Sequence, residues 1–161
     1  MISINDVIQK IAEHQNKFAI KLNPPASASV VSEFEKISEL TLPADLLDFY
    51  RFSNGFETSD FLFRIIPLED IVQEVLHFNN GLKGREFTFA EYMIYSDAWK
   101  IKLKHDGING YEITNDNHKS AYAVVLTDSL FEFITRYLDG SGVFGERGLN
   151  EWFEQQQGLK D

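Results

Sequence analysis

The sequence of 161 residues contains no cysteine. Disulfide bonds, thiolate zinc sites and cysteine nucleophiles are therefore excluded. Long apolar runs are missing as well, and none approaches the roughly 20 residues that a membrane-spanning helix needs. Unlike the core of a signal peptide, the N-terminal segment has polar residues among its apolar ones, at Asn5, Asp6, Gln9 and Lys10. We expect a soluble, cytoplasmic protein that folds without a metal or a cofactor.

Basic residues are scarce, since 15 Lys and Arg stand against 25 Asp and Glu and give a formal net charge of −10. Most of the acidic excess lies in residues 30–75, whereas basic residues outnumber acidic ones in residues 83–104. An acidic field repels the phosphate backbone, so we expect no direct binding of nucleic acid. A basic protein is the favoured partner, and no membrane partner is expected.

The length and composition indicate one domain that spans residues 1–161. A chain of this size with 43% hydrophobic residues can bury a core of ordinary size. Residues 23–29, NPPASAS, are too few for a domain linker and are interpreted as a connection.

The segment 30–56, VVSEFEKISELTLPADLLDFYRFSNGF, has the most distinctive pattern in the chain. Phe34, Ile37 and Leu40 recur at helical spacing, which predicts a short helix that stops near Leu40. A second helix is predicted to follow directly, with a broad apolar face formed by Leu46, Leu47, Phe49 and Tyr50.

Punctuating residues predict the limits of this second helix. Pro43 suits its first turn, with Thr41 or Leu42 as the cap, because proline has no N–H to lose there. The helix is predicted to run to about Ser53 and to end in a left-handed turn at Asn54-Gly55.

The remaining periodicities predict an α+β fold in which helices pack around a mainly antiparallel sheet. Helical spacing recurs over residues 3–14, 68–78, 128–138 and 149–157, and Thr127 or Asp128 is the expected cap of the third of these helices. Short β-branched or aromatic segments predict strands over residues 61–66, 92–95, 101–104, 110–113 and 122–126.

The segment 30–138 resembles the SUKH superfamily, which includes the Smi/Knr-like group. The residues that carry the resemblance to its acidic-aromatic helix, Leu-Pro break and Asn-Gly end are Glu33, Phe34, Glu35, Leu40, Leu42-Pro43, Leu47, Tyr50 and Asn54-Gly55. Further similar segments are FLFRIIPLEDIV at 61–72, EYMIYSD at 91–97 and DSLFEFITRYL at 128–138. The resemblance implies a sheet with helices around it and a non-enzymatic role in protein binding.

Two functions remain open within this resemblance. One is an immunity protein that neutralises a cognate bacterial toxin, often a nuclease, and the acidic composition suits a basic toxin domain. The other is a regulator or scaffold of the Smi/Knr type linked to cell-wall synthesis. An enzyme is the least favoured class, because the sequence displays no polar constellation for catalysis.

Residues with possible chemistry are better explained as surface groups. His14, His77, His105 and His118 lack metal-ligand spacing, and Asp116 with His118 is more typical of a solvated turn. The carboxylate pair Glu69-Asp70 is interpreted as a helix face. The glycine-rich run GSGVFGERG at 140–148 lacks the lysine of a phosphate loop, so a flexible helix-to-helix connection is favoured.

The acidic excess predicts where a partner binds. We expect the contact surface to combine the acidic segment between Asp45 and Asp70 with Asp97 and Trp99, and its candidate residues are Asp45, Asp48, Glu57, Asp60, Asp97 and Trp99. For Trp99, burial in the core is favoured over exposure as an interface anchor.

Overall fold

A computed structural model describes residues 1–59, 62–78, 86–104, 110–115 and 123–158. Its six helices are α1 (Ile4–Phe18), α2 (Ala28–Ser38), α3 (Ala44–Phe52), α4 (Leu68–Phe78), α5 (Leu130–Asp139) and α6 (Leu149–Gly158). Its seven strands are β1 (Ile20–Leu22), β2 (Phe56–Thr58), β3 (Phe63–Ile65), β4 (Glu86–Tyr92), β5 (Asp97–Leu103), β6 (Tyr111–Asn115) and β7 (Val124–Thr127). All seven pair antiparallel in chain order in one sheet, so the predicted α+β fold is confirmed.

Side-chain caps begin several of the helices. Ser3 and Asp6 form a capping box at the start of α1, and the hydroxyl groups of Ser27 and Ser129 accept hydrogen bonds from the first turns of α2 and α5. Ser129, rather than Thr127 or Asp128, is therefore the cap of α5. For α3 the N-cap is Pro43, not Thr41 or Leu42, and it provides no side-chain hydrogen bond.

An aromatic cluster joins the sheet to helices α1, α3 and α5. The ring of Phe63 on β3 stacks on Tyr137 of α5 at a centroid distance of 4.1 Å and contacts Trp99 at 5.7 Å. Tyr137 also contacts Phe18 of α1, while Phe56 on β2 lies 6.4 Å from Phe49 of α3. These contacts define the inner face of the sheet.

The pair Asn54-Gly55 closely follows α3, and Asn54 forms a hydrogen bond with the start of α4. The predicted left-handed end of α3 is wrong, because the helix ends at Phe52 and Ser53 is extended. Asn54 instead reaches the next helix: its Oδ1 accepts a hydrogen bond from the backbone N–H of Leu68 at 3.0 Å. Gly55 has φ +86°, and a Cβ there would lie 2.2 Å from the backbone oxygen of Ile65. Asn54 therefore fixes the start of α4, and Gly55 allows the chain to pass close to the end of β3.

Several predicted boundaries differ from the structure. Residues 92–95 are not a strand, because β4 ends at Tyr92 and residues 93–96 form a turn. Strands β1 and β2 were not predicted, nor was β4 apart from Tyr92, and α2 begins within the segment interpreted as a connection. The helix predicted over 3–14 continues to Phe18. The described residues leave out parts of the strands predicted over 61–66 and 122–126.

The glycine-rich segment 140–148 connects α5 to α6 as predicted, but it is tightly folded rather than loose. The backbone N–H groups of Gly142, Gly148 and Leu149 donate to carbonyl groups of Tyr137, Gly145 and Gly142. A Cβ on Gly140 would lie 2.1 Å from the backbone oxygen of Arg147. The segment uses these amides internally, which agrees with its interpretation as a connection rather than a phosphate site.

In the part of the chain that the structure describes, none of the helices is both long and apolar enough to cross a membrane.

Adjacent leucines on α3 provide a matched test of this packing. Leu46 is 0% exposed, whereas Leu47, expected from the helical pattern to be buried, lies only partly buried at the edge of the core. We expect Leu46→Ala to lower the free energy of unfolding by about 2–5 kcal/mol, because it leaves a cavity. Leu47→Ala should cost clearly less. Urea denaturation of both variants checks the order, and a larger loss for Leu47→Ala would contradict the packing of α3.

Candidate partner-binding surface

The predicted acidic surface does not form one patch. Phe56 packs on Phe49 of α3, and successive side chains of a strand point to opposite faces, so Glu57 points away from α3. Asp48 is exposed on α3 and therefore lies on the other side of the sheet from Glu57. Asp60 lies outside the described residues.

Asp45 is a structural residue rather than a free surface charge. The hydroxyl group of Tyr111 on β6 donates a hydrogen bond to its Oδ2, and the same hydroxyl accepts one from the backbone N–H of Leu130 at 2.7 Å. Burial raises the pKa of Asp45, although its hydrogen bonds act in the opposite direction. The carboxylate thus joins α3 to β6 and to the start of α5.

Trp99 and Asp97 at the start of β5 are also tied into the structure. Trp99 is 0% exposed, and its ring contacts Phe63 and Phe133. The favoured burial of Trp99 is confirmed, so its inclusion in the partner surface is wrong. Asp97 is half-buried, and its Oδ1 accepts hydrogen bonds from Asn115 Nδ2 at 2.9 Å and from the backbone N–H of Ala98 at 3.0 Å.

Charged side chains of alternating sign cross the outer face of the sheet. In register, Lys21 of β1 stands opposite Glu57 of β2, Glu57 opposite Arg64 of β3, and Arg64 opposite Glu91 of β4. Opposite charges on directly facing positions stabilise a pair of strands. Of the predicted partner residues that the structure describes, only Glu57 belongs to this row.

Arg64 and Glu91 form the centre of a hydrogen-bond network. Arg64 Nε donates to Glu91 Oε1 at 2.7 Å, and its two terminal nitrogens lie 3.4 Å from Asp70 Oδ2 and 3.3 Å from the hydroxyl group of Tyr95. The second oxygen of Glu91 accepts a hydrogen bond from the backbone N–H of Tyr95 at 2.7 Å. Glu91 is only 6% exposed, and these hydrogen bonds compensate its buried charge at close range.

The turn from β4 to β5 has an unusual backbone. Met93, Ile94 and Tyr95 have φ values of 48°, 52° and 61°, all in the left-handed region. Each non-glycine residue in this region costs about 1–2 kcal/mol, and a β-branched residue such as Ile94 is a clear outlier. The hydrogen bond from Tyr95 to Glu91 and one from the N–H of Met93 to the carbonyl of Leu62, at 3.0 Å, hold the turn in this form.

Apolar side chains project into solvent around this turn. Ile94 is 92% exposed, and Leu62, Met93 and Tyr95 are each about half exposed. We call these four residues the apolar rim. An exposed apolar group of this kind is a mark of a binding surface.

A groove of about 410 Å³ lies beside the apolar rim on the outer face of the sheet. Leu62, Met93 and Ile94 line its apolar side, while Glu57, Arg64 and Glu91 supply the charged groups. Its volume falls in the range of about 300–1,000 Å³ that is usual for binding pockets.

Little in the sequence indicates the apolar rim. The run Met93-Ile94-Tyr95 is apolar and lacks the glycine, asparagine or proline that marks a turn, so it is typical of a strand. The one available signal was the polar pair Ser96-Asp97 directly after it, which separates it from the next strand.

Other candidate chemistry is limited. Within the described ranges, no group of three or more His, Asp or Glu side chains lies close enough together to hold a metal ion. His14 lies 3.9 Å from Asp139, and His77 is exposed. His105, Asp116 and His118 lie outside the described residues.

No protein-family model matches this sequence, and no curated protein matches it either.

Removing the charge of Asp45 should change the pH dependence of stability. Because burial raises its folded-state pKa above the unfolded value of about 3.9, ionisation of Asp45 lowers stability as the pH rises from that value through the folded pKa. Asp45→Asn has no ionisable group at this position, so its stability does not fall for this reason. The free energy of unfolding of the variant minus that of the wild type should therefore increase over this interval and then level off.

Urea denaturation at a series of pH values measures this difference. Asp48→Asn is the control, because it removes an exposed charge from the same helix. A difference that stays flat or decreases with pH for Asp45→Asn would contradict a folded-state pKa that burial raises.

Glu91→Gln tests what holds the left-handed turn. Glutamine replaces one of the two carboxylate oxygens with an amide nitrogen, so either Arg64 Nε or the backbone N–H of Tyr95 would face a donor instead of an acceptor. We expect faster hydrogen exchange at the amide of Tyr95, measured by NMR. Glu86→Gln is the matched control on the same strand, since its ion pair with Lys100 is more exposed and longer, at 3.9 Å. Unchanged protection of Tyr95 in Glu91→Gln would show that other contacts hold the turn.

Proposed function

We infer that this chain is a non-enzymatic protein-binding domain of the SUKH type, an immunity protein that neutralises a basic bacterial toxin in the cell that makes it. The observation that carries the protein-binding role is the apolar rim. Three consecutive residues adopt an unfavourable backbone conformation, and the result is the exposure of apolar side chains to water. Such strain is typical of functional segments, where the surrounding structure compensates for it.

The rigidity of the turn supports a binding role. The hydrogen bonds of Glu91 and Leu62 define the backbone before any partner arrives. A preorganised loop loses little conformational entropy on association, so more of the contact energy appears as affinity. Arg64 and Tyr95 add the residue types that dominate the energy of protein interfaces.

The charge supports a basic partner. The net charge of −10 attracts a basic protein and steers its approach, and it repels nucleic acid and proteins of the same sign. A nuclease toxin needs a basic surface for its own substrate, so an acidic inhibitor can compete for that surface. The resemblance to SUKH immunity proteins adds the class of partner to this argument.

The proposed contact surface differs from the one expected from the acidic segment. It consists of the apolar rim and Glu57, whereas Asp45 and Trp99 are removed from it by their roles in packing. Asp48 remains exposed but lies on the other side of the sheet, so it contributes to the general field rather than to this contact.

The test is co-purification of the chain with its partner from native cells, using two variants. Ile94→Asp places a charge on the apolar rim, and Leu76→Asp places the same charge on a leucine of α4 that is 51% exposed and does not line the groove. We expect a basic protein to be retained by the wild type and by Leu76→Asp and to be lost from Ile94→Asp. Its production alone should stop growth, and co-production of the chain should restore it.

Association between the chain and this basic protein should slow as salt is added, because exposed charges are screened over about 8–10 Å at physiological ionic strength. Stopped-flow or surface-plasmon measurements at increasing salt give the rate. A partner that is harmless when produced alone and is linked to cell-wall synthesis would instead favour the regulatory role of the Smi/Knr-like group.

A further inference from the structure

We propose that the groove binds a segment of the partner in which an aliphatic side chain stands beside a lysine or arginine, and that Glu57 is the specificity-determining contact for that cation. This inference rests on the proposed role in protein binding and adds the chemistry of the bound segment.

Charged side chains of both signs line the groove. Among the described residues that line it, Arg64 is the one cation, and its guanidinium group is engaged with Glu91 and Asp70. Glu57 is exposed at the same groove and forms no ion pair within the part of the chain that the structure describes. Lys21 faces it in register, but the two side chains do not come within ion-pair distance. Among the described residues that line the groove, Glu57 is therefore the carboxylate without an ion pair, although Lys21 and Arg64 stand opposite it on the neighbouring strands.

The groove also has an apolar side. Leu62, Met93 and Ile94 lie along it, and the exposure of all three exceeds 45%. Burial of apolar surface contributes about 25 cal/mol per Å². An aliphatic side chain of the partner would cover this surface, while a neighbouring cation reaches Glu57.

The sign of the charge identifies the occupant. A second copy of this chain also has a net charge of −10, so self-association at an acidic groove is opposed by like charges. An acidic segment is opposed for the same reason. A basic segment satisfies the free carboxylate and the field of the whole molecule together.

The backbone limits how the segment can bind. Strand β3 pairs with β2 on one side and β4 on the other, so the sheet offers no free edge at the floor of the groove. Addition of a strand is therefore not available there, which leaves side-chain contacts as the main means of recognition. This is why a single carboxylate can determine specificity.

The experiment titrates the full chain with two synthetic peptides, followed by NMR. One peptide is Gly-Leu-Lys-Leu-Arg-Gly, and the other replaces its lysine and arginine with glutamate. We expect the basic peptide to shift the amide signals of Glu57, Met93 and Ile94, and we expect the acidic peptide to leave them unchanged.

Two variants make the same change in net charge on opposite sides of the sheet. Glu57→Lys should weaken binding of the basic peptide about tenfold, because the close charge is reversed. Asp48→Lys should weaken it less than about threefold, since it alters only the distant field. Ile94→Ser should also weaken binding, with the far signals of α6 unchanged as a check of folding.

Each result bears on the inference. Equal binding of both peptides, equal effects of Glu57→Lys and Asp48→Lys, or concentration-dependent self-association that Ile94→Ser abolishes would overturn it. Failure of the basic peptide to bind while a toxin co-purifies would overturn the inference and leave the proposed function standing. Binding of the peptide at the groove in a chain that captures no toxin would support the inference and overturn the immunity role.

Discussion

The packing of Phe63 into the aromatic cluster is the contact on which the exposed surface depends. Its ring stacks on Tyr137 and touches Phe133 and Trp99, so β3 has only one way to face the helices. Because side chains alternate along a strand, Phe63 inside places Arg64 outside, next to Glu91. A slip of one residue would bury Arg64 and expose Phe63. The position of the groove is thus a consequence of the core.

Two polar side chains perform similar tasks at the two ends of this arrangement. Glu91 accepts hydrogen bonds from Arg64 and from the backbone of Tyr95, which ties the left-handed turn to β3. Asn54 accepts one from the backbone of Leu68 and so ties the end of α3 to the start of α4. In both places a buried or nearly buried side chain satisfies a backbone N–H that the local chain conformation leaves without a partner.

The helices and the fold class were predictable because amphipathic spacing persists over many residues, as in α4, whose limits were predicted as observed. Strands β1 and β2 have three residues each, which is too short for alternation to be recognised, whereas the equally short β3 lies within a longer aromatic and β-branched segment. The apolar rim was missed for a different reason. A left-handed turn built from Met93, Ile94 and Tyr95 depends on hydrogen bonds to Glu91 and Leu62, and these are tertiary contacts that local composition does not reveal.

The acidic candidates show the same limit from the other direction. Counting charges selected Glu57, which belongs to the surface that we propose, but it also grouped Glu57 with Asp45 and Asp48 on α3. Residues that are close along the chain can lie on opposite faces of a sheet. Phe56 packs on Phe49 of α3, so the next residue, Glu57, points to the outer face. Asp45 is half-buried, and Tyr111 donates a hydrogen bond to its carboxylate. This contact joins residues far apart in sequence, so charge counting does not reveal it.

The order of the strands has an evolutionary consequence. Each strand pairs with its neighbour in the chain, so every connection joins two adjacent strands of the sheet. A longer connection disturbs no other pairing, and doubling the length of a flexible loop costs only about 0.6 kcal/mol. The turn between β4 and β5 can therefore be exchanged for loops of other lengths and compositions while the scaffold stays constant. A fold of this kind can acquire new binding partners by replacing a few residues at one tip.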